Sequence, residues 1–330
     1  MNKLTFLLPL KDRPNYTKIW LKHNLRPEYD YFVADGSIED ENEALFKDVQ
    51  LPNLTYIRFP QDLSIDCYVE KMLQAVSQVK TKYVMTCDND DFINFQGIKS
   101  CINALEESPE ATCAGGVIYG VSQAEQTLSS PRYNLPVKII DARGLHNISG
   151  FDALVQLFKS YRYMWYSVFR TEDYRNIWCD IKNLNILNIY LIEMLQAQLS
   201  FCCGRYIQIK TNHYIRLENP TTSSAREDAE KNIPHIQKIY FDEEYREQVL
   251  RMSEHVAKLL GVEPIHLLNE LRNYYILGVT PEVSSFHKRM LARLTRIHQI
   301  IPRKLHIFFS IEFGMAFINT LWRVRSALKI

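Results

Sequence analysis

Apolar residues in roughly the first third of the chain follow two alternating periods. Short continuous runs predict buried β-strands, and apolar residues spaced three or four positions apart predict helices between them. A helix is predicted near Asn15–Asn24, and another from Ser64 with one stripe of Val69, Met72, Leu73 and Val76. Strand and helix in alternation are typical of an α/β domain. The predicted strands are LTFLLPL, YDYFVAD, LTYIRFP, KYVMTC and ATCAGGVIYG.

The rest of the chain has a less regular pattern. YMWYSVFR (Tyr163–Arg170) predicts an extended segment, a helix is expected over roughly Leu184–Leu199, and RYIQIKTNHYIRL predicts a strand. Helices follow, one of them from about Glu243 to Leu260, and Pro302 separates two basic apolar segments at the end. We therefore expect an α/β domain over residues 1–220, a helical extension over 221–286 and basic amphipathic helices over 287–330.

Charge and cysteine content narrow the class of protein. A net charge of +1 argues against a dedicated nucleic-acid binder. The 7 cysteines include no C-x-x-C spacing, as in a cytosolic protein with reduced thiols. The first apolar run is too short for a signal peptide and meets Lys11, Asp12 and Arg13 at once.

The last 44 residues are strongly basic. From His287 onward there are nine Lys/Arg and one acid, Glu312, so this tail carries +8 and residues 1–286 carry −7. A basic amphipathic helix rich in Phe and Trp is typical of a segment lying on an anionic membrane. The alternative is a helix docked on the body of the protein or on another subunit, which would give a homo-oligomer. The first interpretation places the protein in the cytoplasm, peripheral on the inner face of the plasma membrane.

Polar motifs follow three of the predicted strands. KDRP comes after the first strand, DGS after the second and DNDD after the KYVMTC strand. The carboxyl ends of parallel strands line the ligand crevice of an α/β sheet. We therefore expect Lys11–Arg13, Asp35 and Asp88–Asp91 along one rim.

The D-x-D pair Asp88 and Asp90 has two interpretations. Mg²⁺ and Mn²⁺ prefer oxygen ligands and often combine one or two carboxylates with substrate phosphates. The alternative is an acidic turn that caps the following helix, where Asp is common. The other two motifs at equivalent strand ends favour the cation.

These segments together resemble a known family. FLLPLKDRP, YFVADGS and KYVMTCDNDDF, in this order and spacing over roughly residues 3–220, resemble the nucleotide-sugar-binding half of GT-A fold glycosyltransferases. The similarity is greatest to the inverting family 2 enzymes of bacterial surface polysaccharide synthesis. It implies a Rossmann-like, mixed, mostly parallel sheet flanked by helices, here with a helical C-terminal extension. Two departures are ADGS in place of the common DDGS, and no Glu/Asp-Asp pair in the acceptor half.

The resemblance also implies roles for residues of the rim. Asp90 would be the main ligand of Mn²⁺ or Mg²⁺, with Asp91 beside it. Asp88 would contact the ribose or sugar and is the second predicted metal ligand. Arg216 suits a diphosphate because arginine binds phosphate bidentately. His213 could complete the metal sphere, although a lone histidine beside a strand is more often structural. The predicted donor-binding residues are Pro9, Lys11, Asp12, Arg13, Asp35, Asp62, Asp88, Asn89 and Arg216.

Inverting sugar transfer needs a carboxylate that accepts the proton of the acceptor hydroxyl. Glu193 stands alone in an apolar helix, a setting that would raise its pKa. The alternative is an ordinary glutamate on the exposed face of an amphipathic helix, and Asp180 is the reserve candidate.

The sequence therefore predicts a metal-dependent hexosyl- or N-acetylhexosaminyltransferase. Its donor would be a nucleotide-diphosphate sugar, with a UDP-sugar favoured. Its acceptor would be a hydroxyl group of a glycan, which we expect to be lipid-linked. Two rivals stay open, a sugar-phosphate nucleotidyltransferase and a non-catalytic scaffold subunit. The first usually opens with a glycine-rich phosphate loop, which LLPLKDRP lacks.

Overall fold

The computed structural model describes residues 2–122, 137–140, 149–159, 164–218 and 243–279. Nine strands in these ranges form one sheet with the order β3-β2-β1-β4-β8-β6-β9-β5, and β7 pairs with β6. The strands are β1 (Leu4–Leu10), β2 (Asp30–Asp35), β3 (Leu54–Arg58), β4 (Tyr83–Thr86), β5 (Phe92–Ile93), β6 (Ala111–Ser122), β7 (Val137–Ile140), β8 (Val168–Arg170) and β9 (Arg205–Glu218).

Helices connect and flank these strands. Their bounds are α1 (Pro14–Asn24), α2 (Glu41–Lys47), α3 (Ile65–Gln78), α4 (Phe95–Glu107), α5 (Gly150–Lys159), α6 (Thr171–Asn183), α7 (Ile189–Cys203), α8 (Glu243–Leu260) and α9 (Pro264–Val279). The predicted strands of the first third, the predicted helices α1, α3 and α8, and the strand β9 are confirmed.

The first four strands of the sheet order create the rim. β1 pairs in parallel with both β2 and β4, and β2 pairs in parallel with β3. The carboxyl ends of β1, β2 and β4 therefore meet at one edge, as predicted. Antiparallel pairs join β8 to β4 and β6, whereas β6 and β9 run parallel. This mixed α/β sheet flanked by helices confirms the GT-A fold that the resemblance implies.

The core explains why the local sequence adopts these elements. Leu4, Phe6, Leu7 and Leu8 of β1 are all fully buried, because a central parallel strand is covered on both faces. Helix α3 begins after Ser64, whose side chain accepts a hydrogen bond from the backbone N–H of Cys67 and so caps the first turn.

Two predictions in the second half of the chain are wrong. Tyr163–Arg170 was expected to be extended, but Met164–Ser167 form a turn with a 3.0 Å hydrogen bond from Ser167 N–H to Met164 O, and only Val168–Arg170 form a strand. The helix expected from Leu184 begins at Ile189, because the side chain of Asn188 caps it by accepting from the N–H groups of Tyr190 and Leu191. The helix α6, which the pattern did not predict, precedes it.

Helices α8 and α9 belong to the predicted extension. α8 packs against α7, and α9 packs against α5 and α8. Within the described ranges, no helix is both long and apolar enough to cross a membrane. The predicted basic helices over 287–330 lie outside the described residues, and the division into three domains stays a prediction.

Candidate functional site

The loop after β1 is fixed to the loop after β2. Asp12 and Arg13 both have left-handed backbone angles, with φ of 54° and 59°. The N–H of Asp12 donates to Ser37 Oγ (2.6 Å), and Asn42 Nδ2 donates to the carbonyl oxygen of Asp12 (2.9 Å). Non-glycine residues adopt such angles only where their surroundings hold them. The two strand ends therefore form one rigid part of the rim.

Asp35 ends β2 as a fully buried carboxylate. Its Oδ1 accepts from the N–H (2.8 Å) and the hydroxyl (2.5 Å) of Ser37, and its Oδ2 accepts from the Tyr56 hydroxyl (2.6 Å) and Arg58 Nη1 (3.0 Å). These bonds hold the DGS loop and leave both oxygens engaged. The role of Asp35 in donor binding stays a prediction, and a donor would have to share an oxygen that the protein already uses.

Asp62 forms a buried ion pair that the sequence pattern did not predict. Lys71 of α3 donates to Asp62 Oδ2 and, over 3.0 Å, to the carbonyl oxygen of Leu10 at the end of β1. Burial raises the pKa of Asp62 and lowers the pKa of Lys71, and their mutual attraction opposes both shifts. Asp62 Oδ1 is buried and has no hydrogen-bond partner among the described residues. A ligand donor could satisfy it.

Lys11 and Gly36 fix the position of Asp62. Lys11 Nζ donates to the carbonyl oxygen of Asp62 over 2.7 Å, and the N–H of Asp62 donates to the carbonyl oxygen of Gly36 over 2.8 Å. A Cβ atom on Gly36 would lie 2.5 Å from the Asp62 carboxylate, so the close approach requires glycine.

The DNDD motif brings three carboxylates together. One oxygen each of Asp88, Asp90 and Asp91 lies within 4.8 Å of the other two, and the latter two residues are buried. One carboxylate oxygen of each aspartate accepts a hydrogen bond from another part of the protein. The donors are the Tyr166 hydroxyl to Asp88 Oδ2 (2.7 Å), Arg13 Nη2 to Asp90 Oδ2 (2.5 Å) and the N–H of Leu217 to Asp91 Oδ1 (2.8 Å).

The electrostatics of the cluster favour a bound cation. Burial and the neighbouring Asp90 raise the pKa of Asp88, against the Tyr166 hydrogen bond and the charges of Arg216 and Arg13. The pKa of Asp91 lies well above its ordinary value for the same two reasons, burial first. Asp91 Oδ2 is buried with no partner among the described residues. Closely spaced carboxylates with unsatisfied oxygens fit a hard divalent cation such as Mg²⁺ or Mn²⁺.

Two stacked tyrosines, Tyr166 and Tyr214, contact Asp88. The rings of Tyr166 and Tyr214 stack with centroids 4.2 Å apart, and the backbone N–H of Asp88 donates to the Tyr214 hydroxyl over 3.0 Å. The sequence pattern did not predict that Tyr214 or Tyr166 would contact the acidic cluster. Their signal is weak, since nothing in the linear sequence shows that they meet DNDD.

His213 has a structural role in this arrangement. The N–H of Gly116 donates to its Nδ1 (2.9 Å), and its Nε2 lies 2.9 Å from the carbonyl oxygen of Tyr166, to which it therefore donates. Burial lowers the pKa of His213 to about 4, so the ring is neutral at pH 7. Both nitrogens are engaged with backbone groups, and the cluster of potential metal ligands among the described residues does not include His213.

The other predicted donor-binding residues lie around the same rim. Asn89 Nδ2 donates to Thr17 Oγ1 (3.0 Å) and to the carbonyl oxygen of Arg13 (3.3 Å), which ties the DNDD loop to α1. Pro9 lies in β1, paired with Ala34 of β2. Arg216 of β9 is close enough to the cluster for its charge to lower the pKa of Asp88 and Asp91.

The two candidate bases occupy different helices. Glu193 lies near the start of α7 and is half-buried, whereas residues 194–201 of that helix are all buried. Asp180 lies near the end of α6, and its Oδ2 is 3.1 Å from Nε2 of His255 on α8. Asp180 on α6 is thus paired with His255 on α8. Which of the two carboxylates is the base stays a prediction.

Comparison with known proteins agrees with this geometry. Residues 21–176 match the model of the family described as "Glycosyl transferase family 2". This segment is a glycosyltransferase family 2 domain. It includes Asp35, Asp62 and the whole DNDD motif, whereas the KDRP loop, Glu193 and Arg216 lie outside it. The match confirms the predicted enzyme class, a glycosyltransferase that uses a nucleotide sugar.

Solved structures of similar proteins include S. aureus TarS. Residues 1–349 of TarS are 13% identical to this glycosyltransferase, with a TM-score of 0.42 and coverage of 86% of this chain and 82% of that chain. The TarS complex with UDP-GlcNAc is 13% identical, with a TM-score of 0.40 and coverage of 86% of this chain and 83% of that chain. The TarS complex with UDP is 14% identical, with a TM-score of 0.40 and coverage of 86% of this chain and 82% of that chain. Similarity of this size carries no argument about fold or function. No curated protein matches the sequence.

Proposed function

We propose that the protein transfers a hexosyl or N-acetylhexosaminyl group from a nucleoside diphosphate sugar to a hydroxyl group of a glycan. The observation that carries this proposal is the cluster of Asp88, Asp90 and Asp91, which shares one sheet edge with the loops after β1 and β2. These three carboxylates would hold Mn²⁺ or Mg²⁺. When bound, the cation would neutralise the diphosphate and stabilise the negative charge on the leaving group.

The donor would lie along the rim. Asp62 Oδ1, buried and without a partner among the described residues, supports a hydrogen bond from the base or the ribose. Arg13 and Arg216 supply the positive charge for the diphosphate, and the guanidinium fork suits two phosphate oxygens at once. A UDP-sugar is the favoured donor on the family resemblance.

Glu193 would act as the general base of an inverting transfer. It accepts the proton of the acceptor hydroxyl while that oxygen forms a bond to the anomeric carbon. The bond between the anomeric carbon and the diphosphate oxygen breaks on the opposite face, and the electron pair leaves with the nucleoside diphosphate. The half-buried position of Glu193, immediately before the buried residues 194–201 of α7, supports this role.

The acceptor would be a lipid-linked glycan of a surface polysaccharide, at the inner face of the plasma membrane. Support comes from the +8 charge and the amphipathic pattern of residues 287–330. Sedimentation with anionic liposomes tests it. A chain truncated after Ser285 should stay in the supernatant while the full chain sediments, and equal sedimentation of the two would contradict membrane binding.

A panel of nucleotide sugars, UDP-sugars first, with Mn²⁺ or Mg²⁺ tests the activity. We expect release of nucleoside diphosphate that is lost in Asp90→Asn and kept in Asp66→Asn, a control at an exposed carboxylate of α3. Release of pyrophosphate would instead indicate nucleotidyl transfer, and no release with any donor would favour a scaffold subunit.

A further inference from the structure

Arg13 places a positive charge inside the acidic cluster. Its Nη2 donates to Asp90 Oδ2 over 2.5 Å, and the two side chains are 18% and 5% exposed. Burial alone would lower the pKa of Arg13, but Asp90 outweighs it and raises the pKa, so the guanidinium stays charged. The carboxylate expected to be the main metal ligand therefore already has a cationic partner.

The backbone of Arg13 is fixed, whereas its guanidinium keeps one N–H without a hydrogen-bond partner among the described residues. Arg13 precedes the first residue of α1, and its carbonyl oxygen accepts from Asn89 Nδ2 and from the N–H groups of Tyr16 and Thr17. Its guanidinium carbon lies 4.5 Å from the centre of the Tyr16 ring. Its Nε–H is buried and has no hydrogen-bond partner in the described part of the chain. Rotation of the side chain alone would take the guanidinium away from Asp90.

We propose that Arg13 is a displaceable counter-ion. Its guanidinium neutralises Asp90 before ligand binding, leaves Asp90 when a divalent cation binds, and then binds the diphosphate of the donor. This inference rests on the proposed function and adds the order in which Arg13 binds Asp90 and then the diphosphate. Two positive charges at one carboxylate repel each other, and a diphosphate is the group that the guanidinium fork recognises best.

Binding of Mn²⁺ alone to the full chain, followed by electron paramagnetic resonance of the free ion, tests the first step. Arg13→Met should bind Mn²⁺ about tenfold more tightly than the wild type, because a like charge is removed from the site. Lys18→Met is the matched control, since it removes one positive charge from the exposed face of the same helix. It should bind Mn²⁺ as the wild type does.

Binding of UDP at saturating Mn²⁺, measured by calorimetry, tests the second step. Arg13→Met should bind UDP about tenfold more weakly, since a charge-assisted bond to phosphate is lost. Arg13→Lys keeps the charge and loses the fork, so its Mn²⁺ affinity should equal that of the wild type while its UDP affinity falls. This variant also serves if Arg13→Met does not fold.

Several results would overturn the inference. Equal Mn²⁺ affinity of the wild type and Arg13→Met would leave the metal site intact but refute displacement. Wild-type UDP affinity in Arg13→Lys would refute the bidentate contact with the diphosphate. Absence of Mn²⁺ binding in every variant would refute both the inference and the proposed metal dependence, and binding only in Arg13→Met would support displacement.

Discussion

The Tyr166 hydroxyl donates a 2.7 Å hydrogen bond to Asp88 Oδ2, across 78 residues of sequence. Tyr166 is itself held by the stacked ring of Tyr214 and by His213, which donates to its carbonyl oxygen. The fold therefore sets the orientation of the Asp88 carboxylate before any ligand binds. Loss of a group that hydrogen-bonds a metal ligand typically costs about 10–100-fold in metal affinity.

Tyr166→Phe should weaken the cation and donor site without unfolding the protein. The ring and its stacking stay, and only the hydroxyl is lost, so Mn²⁺ affinity should fall about 10–100-fold. Calorimetric titration with Mn²⁺ and then UDP measures this. Tyr83→Phe is the control, because it removes a similar 3.0 Å bond from a tyrosine hydroxyl to Glu106 at the other end of β4. Equal Mn²⁺ affinity in the two variants would contradict a role for Tyr166.

Lys71→Met should destabilise the fold strongly. The methionine has a similar volume but leaves the buried Asp62 carboxylate without its charge partner, which costs about 3–5 kcal/mol in the free energy of unfolding. Urea denaturation of the two single variants and of Asp62→Asn/Lys71→Met measures the coupling. The double variant should recover most of the loss.

An exposed ion pair gives the control for Lys71. Lys47→Met breaks the 3.7 Å pair with Glu43 on the surface of α2 and should cost less than about 1 kcal/mol. Additive losses in the double variant at Asp62 and Lys71 would show that the pair is not coupled.

The rim was predictable from sequence because it depends on strand order alone. KDRP, DGS and DNDD each follow an apolar run, and parallel pairing of β1 with β2 and β4 brings the three ends together. The position of the Asp88, Asp90 and Asp91 carboxylates at this edge follows from that arrangement. Local pattern also placed α1, α3 and β9, whose apolar residues repeat with a clear period.

The supporting contacts were not predictable, because they join distant segments. Lys71 is a charged residue on α3 and would be expected at the surface. Instead its Nζ is buried and donates to the carbonyl oxygen of Leu10 at the end of β1. Tyr166 lies in the turn of Met164–Ser167 rather than in the extended segment that the pattern predicts. The start of α7 was placed too early, since Leu184 and Ile186 are apolar but the cap that fixes the helix is Asn188.

His213→Gln should change how stability depends on pH. The folded-state pKa of His213 is about 4, below the ordinary 6.5, so the folded state binds fewer protons than the unfolded state between these values. The free energy of unfolding therefore falls as the pH drops through this window, by about 2 kcal/mol between pH 7 and pH 5. Glutamine can accept from Gly116 and donate to Tyr166 without titrating.

Urea denaturation at pH 7 and pH 5 checks the His213 prediction. The wild type should lose about 2 kcal/mol more than His213→Gln over this interval. Contributions from the carboxylates act on both proteins and cancel in the comparison. If the two proteins lose the same free energy, the imidazole is not held neutral by burial.

Glu193→Gln should slow turnover strongly and leave donor binding unchanged. The amide has the shape of the carboxylate but cannot accept the proton of the acceptor hydroxyl, so kcat should fall about 10²–10⁴-fold. Asp180→Asn is the informative comparison, because Asp180 Oδ2 lies 3.1 Å from His255 Nε2 on another helix. This substitution should lower the free energy of unfolding more than it lowers kcat. Rates of sugar transfer with saturating donor, together with UDP affinity, measure both variants. Loss of kcat in Asp180→Asn with full turnover in Glu193→Gln would reassign the base to Asp180.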